Sequence, residues 1–114
     1  VLGSAGGGRD KWKRPEMGKI ADRFCKKIIL TNEDPYDENP ETILEDIERD
    51  IAQKSKLRKI LDRKEAIREA IKSAQAGDTV IITGKGAEPW LMGPNGSKIP
   101  WDDREIVREE ILKL

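Results

Sequence analysis

Gly6-Gly7-Gly8-Arg9-Asp10-Lys11-Trp12-Lys13-Arg14-Pro15 sets a glycine hinge and a dense run of charge between a strand-like start, Val1-Leu2-Gly3, and a helix-like continuation. Three glycines let the backbone turn tightly and approach a ligand closely, and Pro15 suits the first turn of a helix, whose free amides and dipole attract negative charge. Arg9, Lys11, Lys13 and Arg14 against Asp10 leave the stretch three positive charges in surplus. It therefore reads as a site for an anionic ligand, with a solvated loop of ordinary surface charges as the alternative. It is not a standard nucleotide loop. Counting from Gly3 to Gly8 puts Arg9 and Asp10 where a P-loop requires Lys and a hydroxyl, and the dinucleotide pattern fails because Lys11 follows Gly6-x-Gly8 at its third glycine position.

Working outward, Met17, Ile20, Ala21 and Phe24 recur at helical spacing and predict an amphipathic helix over 15–26 with that stripe in the core. Ile28-Ile29-Leu30 is a short apolar run of the kind buried on both faces of a parallel sheet, ending at the turn-rich Thr31-Asn32-Glu33-Asp34-Pro35. Asn39-Pro40 supplies a cap and a first-turn proline for a second helix carrying Ile43, Leu44, Ile47 and Ile51 and ending near Gln53. Leu57 to Leu61 is a weaker strand. Asp62 with Glu65 opens a third helix, with Ala66, Ile67, Ala70, Ile71 and Ala74 inward and Gly77 as its stop. Thr79-Val80-Ile81-Ile82-Thr83 is the clearest strand and runs into a second glycine loop, Gly84-Lys85-Gly86-Ala87-Glu88. Gly93-Pro94-Asn95-Gly96 turns a hairpin carrying Trp90 and Trp101 on its two sides as packing residues, and Asp102 with Glu105 caps a last helix. This order predicts an α/β fold with a mostly parallel sheet, a C-terminal hairpin and helices on both faces.

The length of 114 residues suits one domain, 1–114, whose first strand looks truncated. Twenty-two basic and twenty-two acidic residues argue against a nucleic-acid partner bound by bulk charge. With no histidine and one cysteine, histidine-based zinc sites, histidine triads and an internal disulfide are excluded, and Cys25 reads as a small buried residue. No apolar run approaches a membrane span and nothing resembles a signal peptide, so a cytoplasmic setting is expected.

If the strands run parallel, the loops at 4–14, 31–38 and 84–90 emerge on one edge, where open α/β sheets bind ligands. The first offers basic groups, the second carboxylates on a proline-fixed turn, the third glycine amides and Glu88. Taken singly, Glu88 is a surface residue before a proline and Asp34-Pro35 a turn; together they predict a composite site for an amine-bearing ligand beside an anionic one.

In their order these loops resemble the C-terminal domain of the Mur ligases, closest to the tripeptide-forming member, whose loops read Gly-Gly-Asp-Arg-Asp-Lys-Gly-Lys-Arg-Pro, Asp-Asn-Pro-Arg and Gly-Lys-Gly-His-Glu. Here they stand as Gly7 to Pro15, Glu33-Asp34-Pro35-Tyr36 and Gly84 to Glu88. Asp62-Arg63-Lys64-Glu65-Ala66-Ile67 and Asp103-Arg104-Glu105 also match family segments. The resemblance implies a three-layer Rossmann-like domain of an ATP- and magnesium-dependent ligase of peptidoglycan synthesis. ATP phosphorylates the carboxylate of a UDP-muramoyl dipeptide and an amino acid's amine attacks the acyl phosphate. It also implies N-terminal and central ATPase domains outside these residues, no catalytic or metal-binding residue within them, and no activity for the fragment alone. Matched position by position, Arg9, Asp34, Tyr36, Gly84 and Glu88 fall where the family holds the amino acid, and Asp10, Lys11 and Arg14 face the nucleotide. Tyr36 replaces the arginine that family members use on the distal carboxylate of diaminopimelate, and Asp34 replaces an asparagine. Losing a cation and gaining a carboxylate points to lysine or another basic amino acid over diaminopimelate. Ala87 replaces the family's histidine. Folate- or cyanophycin-type ligases, and a non-catalytic anion-binding module, are the alternatives.

Overall fold

The computed structural model of the chain describes residues 1–8, 10–85 and 88–114. Helices α1 (Lys13–Phe24), α2 (Pro40–Glu48), α3 (Arg63–Ser73) and α4 (Asp103–Leu112) alternate with strands β1 (Ile28–Leu30), β2 (Leu57–Lys59), β3 (Trp90–Met92) and β4 (Lys98–Pro100). The starts of three helices follow from caps written in the sequence. Asn39 accepts from the amide of Glu41, Asp62 from Glu65 and Asp102 from Arg104.

β1 and β2 pair in parallel, Ile28 opposite Leu57 and Leu30 opposite Lys59. Leu2 bridges the other edge of β1 in parallel, its amide on Ile29 O and its carbonyl taking the amide of Thr31, both at 2.9 Å. Beyond it the 79–83 segment continues the sheet: the Val1 amine donates to Ile81 O at 2.7 Å and Thr83 N donates to Val1 O at 3.0 Å. The spatial order is therefore 79–83, 1–3, β1, β2, all parallel. The segment that read as the clearest strand joins the sheet through its bonds to Val1 and forms no regular ladder. β3 and β4 form the expected antiparallel hairpin, Trp90 opposite Pro100.

Alternation along β1 separates two layers. Ile28 and Leu30 join Ile43, Leu44, Ile47 and Ile51 in the main core beneath α1 and α2, while α3, backed by α4, packs on the other face of β1. Ile47 and Leu30 are fully buried, as are Ala66 and Ile67 on α3.

The face of α1 differs from expectation. Ile20 and Phe24 are 58% and 73% exposed, and the residues α1 buries are Arg14 and Gly18. Packing explains it: a Cβ on Gly18 would lie 2.0 Å from the carbonyl oxygen of Ile47, so α1 crosses α2 at its glycine; of the expected stripe Ala21 packs on the core and Met17 is half-buried, while Ile20 and Phe24 turn aside. Cys25 is likewise exposed, not buried, since it sits just past the end of α1 with its amide capping Ala21 O. Gly18→Ala should force the two helices apart and cost about 1–3 kcal/mol despite the better helix propensity of alanine, read as a lower urea midpoint. An unchanged midpoint would contradict the close crossing.

Candidate functional site at the carboxyl edge of the sheet

The parallel order places the ends of three neighbouring strands side by side, and their loops meet. Gly6 N donates to Asp34 O at 2.8 Å, and a Cβ on Gly6 would lie 1.9 Å from Pro35 O, so only glycine lets the first loop lie flat on the second. The Tyr36 ring lies over Gly7. Asp34 and Tyr36 have φ of 37° and 53°, a left-handed conformation that non-glycine residues adopt at some cost and that concentrates at binding sites.

Three buried cations stitch these loops together. Arg14, wholly buried, reaches Asp46 at 3.0 Å, Glu38 at 3.1 Å and the carbonyl of Ala5 at 3.1 Å; Glu38 in turn accepts from Gly8 N at 2.6 Å. Burial works against its charge, but the hydrogen bonds it donates to Glu38 and Asp46 outweigh that and hold the guanidinium above its usual value. Arg63, 2% exposed, forks onto both oxygens of Asp103 and onto the carbonyls of Asn32 and Thr83. Lys85, 2% exposed, lies between Asp34 at 3.0 Å and Glu88 at 2.8 Å.

The sequence-derived residues divide accordingly. Asp34, Glu88, Gly84 and Tyr36 come together around Lys85 and the Pro35 turn, while Arg9 lies outside the described residues, as do Gly86 and Ala87. Asp10 and Lys11 are exposed at the glycine loop, Asp10 paired with Lys13 at 3.2 Å. Arg14 stands apart, since its guanidinium is enclosed by Glu38, Asp46 and Ala5 O and faces inward. Asp34 is no free carboxylate either. One oxygen takes Lys85 and the other accepts from Met92 N at 2.7 Å, anchoring the hairpin, and its charge is balanced within the fold.

Glu33, which the sequence places in the acidic second loop and in the family-like Glu33-Asp34-Pro35-Tyr36 segment without a role of its own, lies buried at the same edge. It is 9% exposed, and its carboxylate packs so closely on Gly84 that a Cβ there would lie 2.3 Å from Oε2. With Gly3, Asp10, Lys13 and Gly84 it lines one end of a mainly apolar cleft of about 520 Å³ that runs between α1, with Met17 and Ile20, and the sheet. Burial raises the Glu33 carboxyl above its usual range, helped by Asp34 and Glu88 and opposed by Arg63 and Lys85. Folded Glu33 thus keeps its proton to higher pH than the unfolded chain. Its contribution to stability is complete below the usual carboxylate value and is lost as pH rises through the folded value. Glu33→Gln should therefore gain on the parent as pH rises from about 4, the usual glutamate value, toward neutrality, read as the difference in urea midpoint. A difference that is flat across that range would contradict the burial. Asp103 has the opposite sign: burial opposes its charge, but Arg63 and Trp101 pull it below the usual range, so its contribution is lost as pH falls.

Residues 1–86 match the model of the Mur ligase glutamate ligase domain. The chain belongs to the Mur ligase family. Similar relatives are the UDP-N-acetylmuramoyl-L-alanyl-D-glutamate–2,6-diaminopimelate ligases of Aquifex aeolicus, 47% identical over 92% of this chain and 22% of the relative, and of Chlorobaculum tepidum, 46% identical over 94% and 21%. A solved structure titled as that ligase superposes with a TM-score of 0.90 at 38% identity, covering 99% of this chain and 23% of the other. The chain thus spans about a fifth of the length of these relatives. Mur ligases are ATP-dependent amino-acid ligases, and this chain is their C-terminal domain. Among the described residues no helix is long and apolar enough to cross a membrane, and no group of acidic or cysteine side chains is placed to hold a metal ion.

Proposed function

We propose that residues 1–114 form one domain, and that the full-length protein joins an amino acid with two amino groups to UDP-N-acetylmuramoyl-L-alanyl-D-glutamate in peptidoglycan synthesis. The observation that carries this is the meeting of the second and third loops around Lys85. It draws Asp34 and Glu88 together beside Gly84 and Tyr36 at the carboxyl edge of a parallel sheet. On this reading Asp34, Tyr36, Gly84 and Glu88, with Arg9, hold the amino acid, and Asp10 and Lys11 face the nucleotide. The relatives' names support 2,6-diaminopimelate. Lysine is the second reading, and Tyr36 at the arginine position favours it. Asp34 no longer does, because Lys85 already balances its charge.

ATP would supply the phosphoryl group that activates the dipeptide carboxylate, and magnesium would balance the phosphate charge. Both would be held mainly by a central domain, a partner outside these residues. The domain's own task is to position the amine for attack and to exclude water, which is where binding energy lowers such a barrier. The cytoplasmic setting belongs to the same proposal.

The test is ATP-dependent ligation by the full-length protein with UDP-muramoyl dipeptide and a panel of amino acids. Diaminopimelate or lysine should each exceed the neutral amino acids by about 100-fold or more in kcat/KM, as expected when a site built for a polar group meets a ligand lacking it. No ligation with any amino acid would favour the non-catalytic module, and preference for glutamate or aspartate would favour a folate- or cyanophycin-type ligase.

A further inference from the structure

Arg63 differs from the other two buried cations in what it holds. Arg14 and Lys85 pair chiefly with side chains, whereas Arg63 donates to two backbone carbonyls, Asn32 O from Nη1 at 3.2 Å and Thr83 O from Nη2 at 3.0 Å. Asn32 immediately precedes Glu33-Asp34, and Thr83 immediately precedes Gly84-Lys85. Their strands are not neighbours, because Val1 and Leu2 pair between them, so the guanidinium spans a gap that the sheet's own hydrogen bonds do not close. Its remaining donors fork onto Asp103, Nε to Oδ1 at 2.9 Å and Nη2 to Oδ2 at 2.7 Å. Asp103 opens α4, and Trp101, just beyond β4, donates its indole N–H to Oδ1 at 2.7 Å. A planar five-donor fork in fixed orientation is what such a junction requires, and lysine cannot supply it.

We infer that Arg63, oriented by Asp103 and Trp101, is a positioning residue that sets the spacing of the two loops holding the amino acid, and so makes substrate affinity depend on α4 and the hairpin. The inference rests on the functional reading above. Arg63 itself is enclosed and acts only through Asn32 and Thr83. Small displacements of a binding group are expensive, so a loosened junction shows first in affinity for the amino acid.

The experiment compares full-length wild type with Arg63→Lys and Trp101→Phe. It reads KM for the amino acid, ATP and the UDP-muramoyl dipeptide, together with hydrogen exchange at the bonded amides of Thr83 and Met92. Arg63→Lys should raise the amino-acid KM by about tenfold or more, while the other two KM values stay within about twofold. Trp101→Phe, which keeps the ion pair and guards against a variant that fails to fold, should raise it several-fold and speed exchange at Thr83 and Met92. Folded variants with a wild-type amino-acid KM and unchanged exchange at both amides would overturn the inference, as would an equal rise in all three KM values. Wild type without ligation would instead overturn the functional reading, and the exchange result would still decide the role of Arg63.

Discussion

Arg14→Met should cost the chain about 3 kcal/mol, the lower end of what breaking a buried ion pair costs when one partner is removed. The lower end applies because the two carboxylates left behind, Glu38 and Asp46, are 20% and 21% exposed and recover some water. The loss is still large against the roughly 5–15 kcal/mol that holds a domain of this size together. It also has a location. Glu38 holds Gly8 N, and Arg14 holds Ala5 O, so the variant should free the glycine loop before it frees the core. A fall in the urea midpoint with faster amide exchange at Gly8 is the expected result. Asp46→Asn, which leaves the guanidinium with Glu38, should cost less than half as much. A loss well under 1 kcal/mol in Arg14→Met would mean that Arg14 matters for its packed stem and not for its charge.

How far the sequence reveals this molecule depends on what kind of signal each part carries. The helix starts at Asn39, Asp62 and Asp102 are local chemistry, a side-chain oxygen accepting an amide two or three residues on, and they stand where the sequence places them. The hairpin around Gly93-Pro94-Asn95-Gly96 is local in the same way, with Asn95 at φ 56°. The parallel edge follows from strand order, and the three loops do share it. What sequence patterning misses is nonlocal. α1 fully buries Gly18 and Arg14, one without a side chain and the other charged, so its inner face shows little apolar signature beyond Ala21, while Ile20 and Phe24 of the visible stripe are exposed. The 79–83 segment has strand composition and joins the sheet through bonds to Val1, but forms no regular ladder.

The site was half legible for the same reason. Glycines and prolines mark loops, and loops carry ligands, so the three segments could be found. Charged residues are ordinarily assigned to the surface, and nothing in the spacing of Arg14, Arg63 and Lys85 distinguishes them from the other basic residues. Yet these three are the ones buried at the edge. All three do stand in segments that match the family, Arg14 in Gly7 to Pro15, Arg63 in Asp62 to Ile67 and Lys85 in Gly84 to Glu88, and the fold joins Arg63 to Asp103 of another such segment. The same burial removes Asp34 from the argument about substrate choice, because Lys85 already pairs with its carboxylate from within.

Glu88 remains as the exposed carboxylate at the rim. Its side chain is 72% accessible and one oxygen, Oε2, is held by Lys85 at 2.8 Å, so it is anchored where an incoming ligand can reach it. A carboxylate positioned in this way suits the ammonium group of an incoming amino acid. A hydrogen bond to a charged group contributes about 1.5–3 kcal/mol, which corresponds to roughly 10–100-fold in affinity. Glu88→Gln keeps the shape and the capacity to accept one bond while removing the charge. Because Lys85 would still pair with Asp34, the fold should tolerate the change.

The most direct measurement is therefore the amino-acid KM of the full-length Glu88→Gln variant beside the wild type, with the KM for ATP taken on the same preparations. A rise of about tenfold or more in the first, with the second within about twofold, is the result predicted for an amino-acid site built where the second and third loops meet. An amino-acid KM that does not move, or one that moves only together with that for ATP, would contradict it.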